Sequence, residues 1–414
     1  MTRQQPPGGV EQRSRMRRTA AALTSLAAVA TTTLVAGPAV AARTAVACAL
    51  PRTEAHHSLG LDTWNASYPR PVRGLDAVII FLSFPDSRPT VSTEELAADH
   101  FPATSDFFRR ASYGRFDLRV HPQHDWVRMP KTSKAYAIRR DWVPDQRAAF
   151  LGDAIKAADS RVDFSKYDIV YLVADPDAPG VDSDATKVVN FDEPMHADGK
   201  EIKRVVTVFE HHPPDRNVLA HETGHVFDLP DLYHRPEDGK GDWDTYVGDW
   251  DVMGSQFGLA PDLFGWQKWK LGWLGPSQVV CLQGGSDGLR TLEPLSAELR
   301  GRTGGPRLMV VRTAEDHAVA IEARSATGND GTTCTEGILL YRVRGGQASG
   351  GGPVEVIDTH PRTEACGGRS VYPPLADAPL QVGETFTVPG ERIRVQVMDR
   401  TKSGAWNVKV TTKV

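Results

Sequence analysis

The sequence predicts an α+β protein in which a mixed sheet backed by helices is followed by an all-β, sandwich-like half. Runs typical of buried strands alternate with helical patterns as far as residue 274. One of those helices carries the motif H-E-x-x-H. Beyond Gly275 and Pro276, short β-rich runs separated by Gly and Pro replace the helical patterns.

The first 42 residues resemble a secretory signal peptide and are excluded from the fold prediction. Arginines between positions 13 and 18 precede an Ala/Thr-rich apolar stretch, and Ala39-Val40-Ala41 gives an A-x-A cleavage pattern. We therefore expect a secreted, extracellular protein. Arg17 and Arg18 leave both the general secretory and the twin-arginine route open. No later stretch is long and apolar enough to span a membrane.

Composition excludes one class of partner. Of the 414 residues, the part after residue 42 holds 43 basic and 51 acidic side chains, a net charge of about −8. That balance argues against a nucleic-acid partner. We divide the chain into a signal peptide (1–42), an N-terminal extension (43–72), a first domain (73–276) and a C-terminal β domain (277–414). Whether the extension is removed stays open.

Elements of the first domain follow from periodicity and turn residues. Continuous apolar runs predict buried strands, and apolar residues three and four apart predict helices. The predicted strands are 76–84, 116–120 with 125–127, 167–174 and 205–209, and the predicted helices are 105–111, 141–158, 216–227 and 262–274. Asp215, which follows two prolines, is the expected N-cap of the third helix. The aromatic residues of the fourth helix are expected to serve burial.

The C-terminal domain shows short alternating runs with no helical pattern. Gly and Pro turns separate them, as in a β-sandwich. The predicted strands are 308–311, 318–322, 337–343, 384–388, 393–397 and 406–410. The segment 345–352 is glycine-rich and predicts a flexible loop.

Four cysteines fit disulfides better than a metal site. None has C-x-x-C spacing, and export to an oxidising compartment favours disulfide bonds. Cys334 with Cys366 is the expected pair within the β domain, which leaves Cys48 with Cys281. A lipid-modified Cys48, or a Cys48 thiolate that blocks a metal, is the alternative.

His221-Glu222-Thr223-Gly224-His225 carries the chemistry. Residues four apart share one face of a helix, so the two imidazoles can bind one ion. Glu222 lies on the same side, where it can take a proton from metal-bound water. Two such ligands and one base are what zinc-dependent peptide hydrolysis needs. A helix whose two histidines lie idle at the surface is the structural alternative.

A catalytic zinc needs a third protein ligand. Asp231 stands six residues after His225, where a sharp turn after the helix would bring it back to the metal. Spacing favours Asp231 over His234, which comes three residues later. The turn residue is Asp228, and Asp tolerates the left-handed conformation better than most residues.

H-E-x-x-H followed by this aspartate resembles the metzincin pattern, and W-D-V-M-G at 250–254 resembles the Met-turn of those enzymes. L-P-D-L-Y at 229–233 narrows the resemblance to the immune inhibitor A-like family of secreted bacterial metallopeptidases. It extends over about residues 73–414, with further similar segments at 78–86, 107–118, 264–274, 322–324 and 337–343. Two positions depart from the pattern. Asp228 replaces the usual glycine, and Ser255 stands where some metzincins place a tyrosine.

The resemblance implies a zincin-like, metzincin-like first domain and a secreted zinc endopeptidase, whose expected partners are protein or peptide substrates. Zinc would be bound by His221, His225 and Asp231, with Glu222 as general base. Met253 would form a hydrophobic floor, and the strand 205–209 would align an extended substrate by edge pairing. An inactive extracellular binding or adhesion protein of the same fold is the alternative.

A second metal is a weaker hypothesis. Asp249 and Asp251 lie in the acidic, glycine-containing stretch that follows the motif, and their oxygens are of the type that Ca²⁺ prefers. Solvated carboxylates are the alternative.

Overall fold

The described part of the chain contains three β-sheets. The structure, a computed structural model, describes residues 47–236, 240–298 and 304–413. The predicted signal peptide and the first residues of the extension lie outside these ranges. None of the helices within them is long and apolar enough to cross a membrane.

The helices are α1 (Thr93–His100), α2 (Ala103–Ala111), α3 (Ser133–Tyr136), α4 (Pro144–Ala158), α5 (Val218–Val226), α6 (Gly265–Lys270) and α7 (Pro373–Ala376). The strands are β1 (Leu75–Ser83), β2 (Leu118–Arg128), β3 (Ile169–Ala174), β4 (Lys187–Ala197), β5 (Lys200–Val208), β6 (Val279–Leu282), β7 (Asp287–Leu292), β8 (Leu308–Arg312), β9 (His317–Arg324), β10 (Gly337–Arg344), β11 (Val354–Val356), β12 (Thr385–Thr387), β13 (Ile393–Arg400) and β14 (Trp406–Thr412).

The first sheet is mixed, as predicted. Its order is β2-β1-β3-β5-β4, with β1, β2, β3 and β5 parallel and β4 antiparallel to β5. Strands β1 and β3 are buried almost throughout, which explains their continuous apolar runs. The expectation that 205–209 aligns a substrate by its edge is wrong, because β5 is bonded on both sides. The free edge beside α5 is β4, which sequence analysis did not predict.

Two helix ends also differ from the prediction. Asp215 does not cap α5: the N-cap is Asn217, whose φ is +60°, and no side chain caps the helix. The Asp215 carboxylate instead accepts a hydrogen bond from Gln256 Nε2 at 3.1 Å. The aromatic helix is short, because α6 ends at Lys270 and Gly272 takes φ +81°. Trp266 and Trp273 are fully buried, which confirms that these aromatic residues serve burial.

The other two sheets pack against each other. The second has the order β11-β10-β9-β8-β6, with β6 parallel to β8, and the third is the antiparallel β12-β13-β14-β7. Ile321, Leu340, Val395 and Val408 are among the residues that fill the core between them. The opposite face of the second sheet, with Tyr341, joins the core that contains α5 and α6. This sheet is therefore buried on both faces.

The N-terminal extension is part of this core. Cys48 and Leu59 are buried, and the backbone of the extension accepts hydrogen bonds from two buried indoles, Trp266 to Leu59 O and Trp273 to Pro71 O, at 2.9 and 2.7 Å. Both predicted disulfides are present: Cys48–Cys281 ties the extension to β6, and Cys334–Cys366 joins two loops. The bonds fit an oxidising compartment.

A buried ionic network connects the second sheet to the segment before α6. Arg324 of β9 is fully buried and pairs with Asp330 at 2.9 Å and with Glu322 at 3.1 Å. It also donates to the carbonyls of Ala260 and Asp262. Glu322 in turn accepts a hydrogen bond from Gly265 N at 2.7 Å, at the start of α6. The network fixes α6 against the sheet.

We expect Arg324→Met to lower the free energy of unfolding by about 3–5 kcal/mol, because it leaves two buried carboxylates without their cation. Denaturant titration measures this. Arg344→Met is the matched control, since Arg344 pairs with Glu355 on the same sheet but both side chains are partly exposed. That change should cost less than about 1 kcal/mol. Equal losses in the two variants would contradict the assignment.

Candidate metal centre

Helix α5 carries both histidines of the motif on one face. His221 and His225 are one helical turn apart, and each Nδ1 donates a 2.8 Å hydrogen bond to a backbone carbonyl, of Val252 and Leu229 respectively. Those bonds hold the ring orientations and leave both Nε2 atoms free to bind a metal. The carbonyls come from the Met-turn segment and from the turn after the helix, so both segments orient the ligands.

A turn with a left-handed residue brings Asp231 to the histidines. Asp228 has φ +62°, and Leu229 N donates to Gly224 O at 3.2 Å as the chain leaves the helix. Asp231 Oδ1 then lies 3.3 Å from His221 Nε2 and 3.0 Å from His225 Nε2. The three ligand atoms lie within 4.8 Å of one another, the one such group in the described part of the chain.

The donor set fits a divalent metal. Asp231 Oδ1 is buried, and no hydrogen bond reaches it apart from the two ionic contacts to the imidazoles. Its other oxygen accepts a 2.8 Å hydrogen bond from Ser349 Oγ, which also accepts from Asp231 N. Two imidazole nitrogens and one carboxylate oxygen suit zinc and other divalent transition metals.

Without a metal, the aspartate and the histidines shift one another's pKa values in opposite directions. Burial by itself would lower the pKa of His225, but the Asp231 carboxylate outweighs it and raises the pKa to about 9. Burial would raise the pKa of Asp231, but His225 and His221 hold it well below its usual range. A metal must therefore displace a proton from this group.

His234, the rival ligand, lies outside the group. Its ring packs edge-on against Tyr246 at a centroid distance of 4.9 Å, and its backbone N–H donates to Trp243 O. The structure thus brings together His221, His225 and Asp231, and it does not bring His234 to them.

Glu222 faces the same cavity from the next position on α5. The side chain is buried, and its Oε2 accepts a 2.9 Å hydrogen bond from Val188 N of the edge strand β4. Burial raises its pKa, while His221 and His225 oppose the rise. A carboxylate whose pKa is raised by burial is suited to accept and return a proton.

The segment 250–254, which resembles a Met-turn, lies directly under α5. Asp251 O accepts hydrogen bonds from the backbone N–H groups of Gly254 and Ser255, and Met253 O accepts one from Leu232. Met253 is fully buried against Gly224, where an added Cβ would overlap the thioether. Gly224 of the motif thus allows Met253 to approach the helix, and Met253 is placed as a floor.

Asp249 and Asp251 serve the backbone. Asp249 accepts hydrogen bonds from Leu259 N and Val371 N, and Asp251 accepts them from Met253 N at 2.8 Å and Phe264 N at 2.7 Å. Neither belongs to the group of potential metal ligands found in the described residues. These bonds are the structural roles of the two carboxylates that the calcium hypothesis invoked.

Asp228 does more than accept a left-handed turn. Its carboxylate is fully buried and contacts Arg52 at 2.8 Å, His57 at 3.0 Å and Lys270 at 3.1 Å. Lys270 Nζ also donates to Asp228 O and to Ser58 O. Burial opposes ionisation of Asp228, but these partners hold its pKa below the usual range. The turn is therefore fastened to both the extension and α6.

Sequence reasoning missed these partners, together with Tyr233. Arg52 and His57 lie about 170 residues from Asp228 along the chain, and no local motif connects them. The His57 ring stacks on that of His225 at a centroid distance of 5.5 Å, and burial lowers the pKa of His57 to about 4. Tyr233 lies parallel to His221 at 6.4 Å and lines the cavity. An unusual aspartate at the turn was the one available signal.

No protein-family model and no curated protein matches this chain. Two crystal structures of wild-type OgpA from Akkermansia muciniphila are similar to it, at 12% and 13% sequence identity. Each alignment covers 72% of this chain and 94% or 95% of the other, with TM-scores of 0.24 and 0.25. Scores this low leave the function to be inferred from the site itself.

We expect Asp228→Gly to keep the turn but release the extension. Glycine accepts a φ of +62° readily, yet the buried Lys270 ammonium would lose its carboxylate. The free energy of unfolding should fall by about 3–5 kcal/mol. Limited proteolysis should then cut near Arg52 faster than in the wild type.

Asp62→Gly is the control, because the Asp62 carboxylate accepts from Arg52 N and Thr63 Oγ1 at an exposed position. If Asp228→Gly were as stable and as resistant to proteases as the wild type, the carboxylate would have no fastening role.

Proposed function

We propose that this chain is a secreted zinc endopeptidase of the metzincin type, with 73–276 as its catalytic domain and 277–414 as a β-sandwich domain. One observation carries the proposal. Two imidazole Nε2 atoms and Asp231 Oδ1 converge in a cavity of about 560 Å³ that the buried Glu222 also lines. Three protein ligands, an open side and a nearby base are what hydrolytic zinc sites share.

Each residue of the candidate site has a separate role in the proposed reaction. A zinc ion bound to His221, His225 and Asp231 would polarise a carbonyl and lower the pKa of water. Glu222, held by Val188 N–H, takes a proton from the attacking water and returns it to the leaving amine. Tyr233 borders the same cavity, and its hydroxyl is the candidate donor to the substrate carbonyl oxygen. Strand β4 offers its free edge to an extended peptide.

We expect Asp231→Ala to weaken zinc binding by at least about tenfold, because the substitution removes one of three ligands. His234→Ala should leave the affinity unchanged, since that ring packs against Tyr246. Metal content after dialysis against a graded chelator measures both. The reverse ranking would refute Asp231 as the third ligand.

Glu222→Gln should keep zinc and lose hydrolysis of unfolded casein by about 10²–10⁴-fold, because the amide cannot accept the proton. Glu201→Gln is the control, at an exposed position of β5. Chelation of the wild type should abolish activity, and added zinc should restore it. Full activity of Glu222→Gln would reject this mechanism. A zinc-loaded wild type without hydrolysis would favour a binding protein instead.

A further inference from the structure

The cleft around the candidate metal centre has two halves that differ in charge. Both halves contain His221, Glu222 and Tyr233, so they meet at the candidate metal centre. We call the first the basic half: Arg147, Lys187 and Arg235 line it and do not line the second. We call the second the acidic half: Glu210, Asp215 and Asp244 line it and do not line the first.

The three cations that define the basic half, Arg147, Lys187 and Arg235, have no direct ion-pair partner among the described residues. The carboxylates that line this half alone are Asp141 and Asp231, and Asp231 is a candidate metal ligand. Lys187 Nζ donates a hydrogen bond to Arg140 O at 2.6 Å. Arg140 and Asp184 line both halves, so their opposite charges do not contribute to the difference between the halves.

The three cations come from separate elements. Arg147 lies on α4, Lys187 begins β4, and Arg235 follows the turn that carries Asp231. Burial lowers the pKa of Lys187, and Arg147 lowers it further. Like charges that line one cavity raise the free energy of the empty cleft, and an anionic ligand would relieve that repulsion.

The acidic half works against the same guest. Glu210 and Asp244 are largely buried, and burial raises the pKa of both, to about 6 for Asp244. Neither they nor Asp215 forms an ion pair in the described residues. An acidic side chain that entered this half would meet three carboxylates, and no cation lines this half alone.

The edge strand fixes which end of a peptide meets which half. Strand β4 begins beside Glu222, at Lys187 and Val188, and runs away from it towards Ala197. Asn190 of this strand lines the basic half, and Ser183, which precedes the strand, lines the acidic half. A peptide paired antiparallel to β4, the more stable arrangement, would run towards Val188. Its amino-terminal part would therefore lie in the basic half.

We infer that the substrates of this protein are peptide segments with Asp or Glu on the amino-terminal side of the cleaved bond. The inference rests on the proposed function for the location of that bond. The basic half would hold the acidic side chain, and the acidic half would exclude it. Binding energy of this kind sets the register of the peptide on β4.

Binding of matched peptides tests the inference without requiring turnover. Zinc-loaded Glu222→Gln is titrated with three labelled peptides of one length, which carry Glu in the amino-terminal half, Glu in the carboxyl-terminal half, or Gln throughout. We expect the first to bind at least tenfold more tightly than the other two at low salt. The difference should shrink as salt rises, because exposed charges are screened.

Charge removal supplies the control. Arg147→Gln with Arg235→Gln, added to Glu222→Gln, leaves β4 unchanged and should remove most of the preference without altering zinc affinity. Arg139→Gln is the matched control, because Arg139 is exposed and lines neither half. Equal binding of the three peptides, or a preference that survives the double change, would overturn the inference.

Mapping of cleavage sites in a peptide mixture by mass spectrometry separates this inference from the proposed function. Hydrolysis by the wild type with Asp and Glu enriched before the cut bond would support both. Hydrolysis without that enrichment would overturn the inference and leave the peptidase standing. Charge-selective binding without any hydrolysis would keep the binding preference and reject the peptidase.

Discussion

The contacts of the Asp228 carboxylate are the constraint on which the candidate site depends. They join Lys270 of α6 and Arg52 of the extension to the turn between His225 and Asp231. A glycine could take the same backbone conformation, but it could not connect three distant segments. Here one side chain satisfies the turn and anchors it. Asp231 is held in place from one side by this anchor and from the other by Ser349.

The anchor works because its surroundings are rigid. Helix α6 is held by Glu322 of the second sheet at its start and by the extension along its buried face. The second sheet is packed on both faces, so its position is determined by two cores at once. The β-rich half of the chain therefore supports the metal-ligand turn, beyond covering a surface. The loop 345–352, which comes from this half, also supplies Ser349 to Asp231.

Charge is distributed around the site at two scales. At the candidate metal ligands, a carboxylate and two imidazoles lie within 4.8 Å of one another. Along the cleft, cations and carboxylates are kept apart instead of being paired. Opposite charges that are paired stabilise each other, whereas charges without a partner lower the stability of the protein. Such unpaired charges are useful where a charged substrate supplies the partner. The proposed substrate preference follows from that second arrangement.

The local arrangement of the candidate site could be predicted from the sequence. H-E-x-x-H predicted two ligands and a base on one helix, six residues more predicted Asp231, and apolar runs predicted the buried strands β1 and β3. These depend on spacings of a few residues, which periodicity reports directly. Both disulfide pairings also followed, because few alternatives existed once the cysteines were placed in their domains.

Tertiary structure alone decided the rest. The free edge next to the site is β4, whose half-exposed residues gave no apolar run, and the strand predicted for that role is interior. The partners of Asp228 come from positions 52, 57 and 270, and the two halves of the cleft combine side chains from four or more segments. Long-range pairing depends on how the sheets pack, and packing leaves no fixed interval in the sequence. Asp228 illustrates both kinds of information. The sequence shows that an aspartate replaces the usual glycine at this turn, and the fold shows that its carboxylate contacts Arg52, His57 and Lys270.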